Sequence, residues 1–329
     1  GAIAAAAGAP GARPPAARFD NSLTTQLSLA ANLRPAANAL TNATPTLALV
    51  ALARSEQTPQ ALRAQAAALA HRRGALASAD ARATLRGIPA EIAAGLPPIA
   101  VALRAVEAAP GSLAAATAIA GLLRQAATPA DFAAAARFFK DDIAALQNAP
   151  DQAAALAFAR AAIVTGDNVL AQRLIASARL AGVSEVALAP LDIALVALTA
   201  PRGEQGLVAM QRRIDAGGAS LARAAARDVG VLTALGAPTN GIVQSFLLAN
   251  APQGGARADA GAMLALTAAV ERGAMGEGAL LAIVAAGEGG LARLDADSLT
   301  RIIRALRELR LDADARRFAV EALLAGAPG

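Results

Sequence analysis

His71 is the only imidazole among the 329 residues. A catalytic role for it needs a nucleophile or a carboxylate brought alongside by folding. It stands in HRRG, at the end of an alanine-rich run. There a cationic side chain favours a helix dipole or is solvated. One His and no Cys make no metal-ligand set, and no cofactor is expected. The close carboxylate pairs are Asp141-Asp142, Asp295/Asp297 and Asp312/Asp314. The last two pairs precede apolar-periodic segments and read as caps or first-turn acids. Neighbours in one helix, Asp141 and Asp142 point apart by about 100°.

The densest charge lies near the C-terminus, where Arg301, Arg304, Arg307, Arg310, Arg316 and Arg317 are interleaved with acids. That interleaving reads as a solvated, ion-paired surface more than an anion site. Gly217-Gly218 and Gly287-Glu288-Gly289-Gly290 follow no strand and fit no phosphate loop; they read as interhelical turns. Phe132, Phe138, Phe139 and Phe158 are close in sequence. They fill a core, or line an apolar groove for a peptide or helix. The candidate partner-contacting residues are therefore Phe132, Phe138, Phe139, Arg301, Arg304 and Arg317.

Composition decides the fold class. About 100 residues are alanine, so 56% of the chain is hydrophobic with only 2% aromatic. Alanine is the strongest helix former, and strands lack β-branched and aromatic support. The expectation is all-α. Alanine buries little area, so its helices must pack closely. Lys140 is the only lysine, and a net charge of +5 is too dilute for a nucleic-acid binder. Without cysteine there are no disulfides. No apolar run reaches 18 residues unbroken, because Pro190 and Asp192 interrupt the closest one, so no membrane span is expected. The chain starts at Gly1, and the expectation is that a leader or a larger part preceded it.

Residues 1–19 read as an Ala/Pro-rich linker or arm. Ten of the 17 prolines lie in 1–110, which predicts a part with short helices over 20–110: about 21–33, 46–55, 59–72, 79–86, 89–95 and 98–108. Thr58 would cap a helix whose first residue is Pro59. A helical-hairpin repeat part follows over 111–329. Its predicted helices are about 112–126, 129–147, 151–164, 168–181, 185–199, 203–215, 219–235, 240–249, 257–272, 277–286, 296–309 and 312–325.

Thr165–Arg179, TGDNVLAQRLIASAR, shows how a pair is joined. Gly166 is suited to ending the first helix in a left-handed conformation. Asp167 or Asn168 can cap the second. Leu156, Ala159, Ala162 and Ile163 share a face of the first helix; Ala171, Leu174, Ile175 and Ala178 share one of the second. An apolar-apolar-Arg group followed eleven residues later by Ala-x-Arg-apolar occurs at Arg124, Arg160 and Arg304. These arginines are 36 and 144, or four times 36, residues apart; the spacing suggests helical-hairpin repeats, although the intermediate positions near 196, 232 and 268 do not show the pattern.

Phe158–Ala178 resembles a tetratricopeptide-type repeat. Ala159, Gly166-Asp167, Ala171, Ile175 and Ala178 stand at matching places, and Ala315, Ala319 and Ala322 repeat the second-helix part. Trp and Tyr are absent from the whole chain, and the proline that closes such a repeat is missing at Val183–Ser184. The resemblance implies antiparallel helical hairpins stacked into an α-solenoid or superhelix. It also implies a concave surface that binds a protein or peptide.

The functional expectation is a non-catalytic interaction scaffold or adaptor, with a homo-oligomer as an option. The Ala/Pro arm favours a bacterial, extracytoplasmic (periplasmic) assembly. One alternative is the superhelical part of a peptidoglycan-acting enzyme, since alanine-rich superhelices resemble those of soluble lytic transglycosylases. No Glu-Ser dipeptide of their catalytic module occurs here. Another alternative is an Arg-based anion or nucleic-acid binder. A pocket gathering His71 with acidic groups would count against the scaffold reading.

Overall fold

The computed structural model describes residues 7, 18–36, 39–41, 43–89, 92, 95–146, 148–199 and 203–325. Most of the 1–19 arm and much of the expected 89–95 helix lie outside them. The described residues form 17 α-helices, one 3₁₀ turn at Leu291–Arg293 and an isolated bridge between Ala256 and Leu294. The chain is all-α, and consecutive helices pack in pairs as a helical array requires. It divides into two compact units, 1–150 and 151–329. The change of character expected at 110/111 therefore falls inside the first unit.

In the first unit the helices are α1 (Ser22–Ala30), α2 (Thr46–Arg54), α3 (Gln60–Arg72), α4 (Ser78–Arg86), α5 (Pro98–Ala108), α6 (Leu113–Arg124), α7 (Pro129–Phe138) and α8 (Lys140–Ala145). α2 pairs with α3, α5 pairs with α6, and α7 lies against α3, α4 and α6. Two expectations fail locally. Pro59, not Thr58, holds the cap position of α3, and the buried Thr58 Oγ1 has no hydrogen-bond partner. Thr128-Pro129 does what was expected there: the Thr128 hydroxyl accepts from the Asp131 amide at 3.1 Å, with proline at the first helical position. The helix expected over 129–147 breaks at Phe139 (φ −104°, ψ 18°), whose side chain is 0% exposed.

The second unit holds α9 (Gln152–Val164), α10 (Asn168–Leu180), α11 (Glu185–Thr199), α12 (Glu204–Ala234), α13 (Gly241–Ala249), α14 (Ala260–Glu271), α15 (Met275–Ala286), α16 (Ala296–Glu308) and α17 (Asp312–Ala325). The pairs are α9–α10, α11–α12, α14–α15 and α16–α17, and α17 also packs back on α11 and α9. Touching α10, α11 and α17, α9 is buried nearly all round, as expected of a helix apolar on every side. The two helices expected over 203–215 and 219–235 join end to end as α12, with a break at Gly218 (φ 53°, ψ −169°).

The α9–α10 turn follows the sequence closely. Gly166 has φ 75°. Its N–H donates to Ile163 O, and the Asp167 N–H donates to Ala162 O, both at 3.0 Å. This closes α9 as a Schellman motif. Asp167, not Asn168, is the cap: its Oδ1 accepts from Leu170 N at 3.0 Å. Ala159, Ala171 and Ala178 are 0% exposed, and the two helices that carry them pack against each other. Each Arg-marked sequence window falls on a consecutive helix pair: α6 with α7, α9 with α10, and α16 with α17.

Candidate functional site

His71, in the last turn of α3, is buried rather than solvated. Its Nδ1 faces Leu76 O at 3.1 Å and its Nε2 faces Ala134 O of α7 at 3.0 Å. Phe138 meets the ring edge-on at 5.3 Å between centroids. A neutral imidazole donates from one nitrogen only, so the ring hydrogen-bonds one of these two carbonyls while the other closes off the second nitrogen; the buried ring packs between α3 and α7 with neither nitrogen open to a substrate or metal. No group of three or more potential metal ligands occurs among the described residues.

His71 also forms part of the wall of an open apolar cavity of about 520 Å³ in the first unit. Ala68 and Leu69 of α3, Pro97 and Ile99 at the start of α5, Leu122 of α6 and Ala135 of α7 line it. Polar groups there are Gln65, Gln125 and the Arg72–Asp131 ion pair at 3.5 Å. The cavity does bring His71 and an acid to one wall. Asp131, however, accepts the Thr128 hydroxyl at 2.9 Å and faces Arg72, while the imidazole is spent on carbonyls. In the second unit, a polar cleft of about 420 Å³ lies between Ala219–Arg223 of α12 and 248–253.

The expected contact residues separate. Phe132, Phe138 and Phe139 are buried in the first unit, 8%, 2% and 0% exposed, where no partner reaches them without displacing helices. Phe138 and Phe139 meet edge-on at 4.8 Å, and the Arg82 guanidinium lies 4.9 Å from the Phe138 centroid. Arg301 and Arg304 on α16 and Arg317 on α17 are exposed. Arg301 pairs with Asp297 at 3.8 Å and Arg317 with Asp314 at 3.6 Å. Asp295 caps α16 through Ser298 N at 2.7 Å, and Asp142 pairs with Arg82 while Asp141 faces solvent.

Other arginines do work that sequence inspection missed. Four donate to carbonyls in the last turn of another helix, and Arg104 donates to one in the loop after α4. Arg82 Nη2 reaches Phe138 O, the last residue of α7, at 2.9 Å. Arg104 Nη2 reaches Pro89 O at 2.7 Å, just beyond α4. Arg307 Nη1 reaches Ala234 O, ending α12, at 2.9 Å. Arg160 Nη2 takes Leu324 O at 2.9 Å and Arg227 Nη1 takes Ala322 O at 3.0 Å, both in the last turn of α17. Terminal carbonyls lack intrahelical donors, and a cation there also meets the negative end of the dipole. Arginine's several donors suit this role.

Across the Gly218 break, Arg213 Nε pairs with Asp228 Oδ2 at 2.8 Å, with both residues buried. Burial pushes the Asp228 carboxyl above its ordinary value, and Arg213 acts against that shift. Burial also raises Asp192 on α11, against Arg179 (2.8 Å) and Arg212 (3.8 Å).

One surface is apolar without cover. On α15, Leu280, Ile283 and Val284 are 66%, 61% and 60% exposed, and Leu264 of α14 is 73% exposed. The opposite face of α15 is buried at Gly278, Ala282 and Ala285. Over the described residues, no helix is long and apolar enough to cross a membrane. No known protein family, characterised protein or solved structure matches the chain.

Proposed function

We propose that this chain is a non-catalytic protein-interaction scaffold, of a tetratricopeptide-like helical type, acting in an extracytoplasmic bacterial assembly. The observation that carries the reading is the exposed apolar stripe Leu280, Ile283 and Val284 of α15, a helix paired with α14, on which Leu264 is also exposed. Uncovered apolar patches of this kind mark interaction sites. The spacing of 280, 283 and 284 is that of a stripe read by a partner helix. The internal use of Arg82, Arg104, Arg160, Arg227 and Arg307 leaves fewer cations for an anion or nucleic-acid site. Arg301, Arg304 and Arg317 stay on the surface and can supply polar contacts to the same partner.

The test compares the wild-type chain with the double variant Leu280→Glu/Ile283→Glu in capture from cells that produce it. Both side chains are exposed, so unfolding free energy is expected to stay within about 0.5 kcal/mol for each change. Wild type should retain a defined protein that the variant loses, or self-associate in light scattering where the variant does not. Identical capture and identical mass for both chains would refute the assignment of this stripe. Turnover of peptidoglycan by the purified chain would refute the non-catalytic reading itself.

A further inference from the structure

We propose that the cavity of the first unit is a binding site for an aliphatic monocarboxylate. Its volume of about 520 Å³ falls in the range of small-molecule sites, about 300–1,000 Å³. The wall is built from methyl, methylene and pyrrolidine groups of Ala68, Leu69, Pro97, Ile99, Leu122 and Ala135. Its one aromatic ring, His71, has a backbone carbonyl facing each nitrogen. A saturated chain matches such a wall, whereas an aromatic ligand gains no stacking partner beyond that ring.

Arg72 gives the site its polarity. It lines the cavity, and its side chain is 47% exposed. Its Nε stands 3.5 Å from Asp131 Oδ1, longer than a charge-assisted hydrogen bond of about 2.7–2.9 Å. Among the described residues the two Nη groups have no hydrogen-bond acceptor. They can receive both oxygens of a carboxylate while the chain enters the apolar space. Asp131 sets the charge: with one acid beside one cation, a monoanion is tolerated and a dianion such as phosphate is repelled.

The experiment is calorimetric titration of the full chain with decanoate, decan-1-ol and decylamine. Decanoate should bind at least about ten-fold more tightly than the alcohol, because only it makes hydrogen bonds to a charged group. Arg72→Met should bring decanoate down to the alcohol's affinity. Asp131→Asn should tighten decanoate binding by removing a like charge. Ala68→Phe, which fills the cavity from a half-buried position, should abolish binding while the melting curve stays cooperative. Equal affinity for decanoate and decan-1-ol, preference for decylamine, no heat with decanoate, or unchanged affinity in Ala68→Phe would each overturn the proposal. None of these results bears on the stripe of α14–α15, which belongs to the other unit.

Discussion

Ala171→Glu is expected to destabilise the second unit by about 4 kcal/mol or more, through an unpaired buried charge and an overfilled helix crossing. Ala171 is 0% exposed, as is Ala159 of the neighbouring helix. A glutamate there must either lose water without a partner or push α9 and α10 apart. The adjacent Gln172 is exposed, so Gln172→Glu should change stability by no more than about 0.5 kcal/mol. The chain has no Trp or Tyr, so far-UV circular dichroism during chemical denaturation is the suitable readout. Equal melting of the two variants would show that the register of the pair is wrong.

The second large effect lies at the break in α12. Asp228→Ala is expected to cost about 3–5 kcal/mol, since it strands a buried guanidinium. Arg213 is 3% and Asp228 5% exposed, and Arg213 Nη1 is already buried without an acceptor. The double change Arg213→Met/Asp228→Leu should recover most of that loss, because apolar side chains of similar volume avoid the desolvation cost of both ions. If the double variant is as unstable as Asp228→Ala alone, the pair's role is not electrostatic. The same denaturation measurement decides it.

Much of the backbone is legible in the sequence. Alanine periodicity and Gly166-Asp167 place α9 and α10 within a residue of their observed limits, because local propensity and cap chemistry act over a few residues. The failures have long-range causes. The break at Phe139 comes with burial of that ring against Phe138 and with Arg82 drawing on the Phe138 carbonyl from α4. The Arg82 contact spans 56 positions and is not visible along the chain. Phe132, Phe138 and Phe139 lie in the core of the first unit beside Leu49, Leu52, Leu103, Ile119, Leu123 and Ile143. His71 was placed correctly at a helix end, but its burial depends on Ala134, 63 positions away. The arginine ties have no local signature: Arg160, Arg227 and Arg307 find their carbonyls 164, 95 and 73 positions away. The cavity is formed by α3, α5, α6 and α7 together, and no single segment announces it.

Alanine-rich helices make many close but small contacts, and on this account arginines supply the long ties that close them. The most direct test is hydrogen–deuterium exchange of the double variant Arg160→Met/Arg227→Met, read by mass spectrometry. Both side chains donate to the last turn of α17. Exchange over 312–325 should rise markedly in the variant, while 168–180 in α10 keeps its protection. Unchanged protection over 312–325 would contradict the account, because α17 would then be held by its apolar contacts alone.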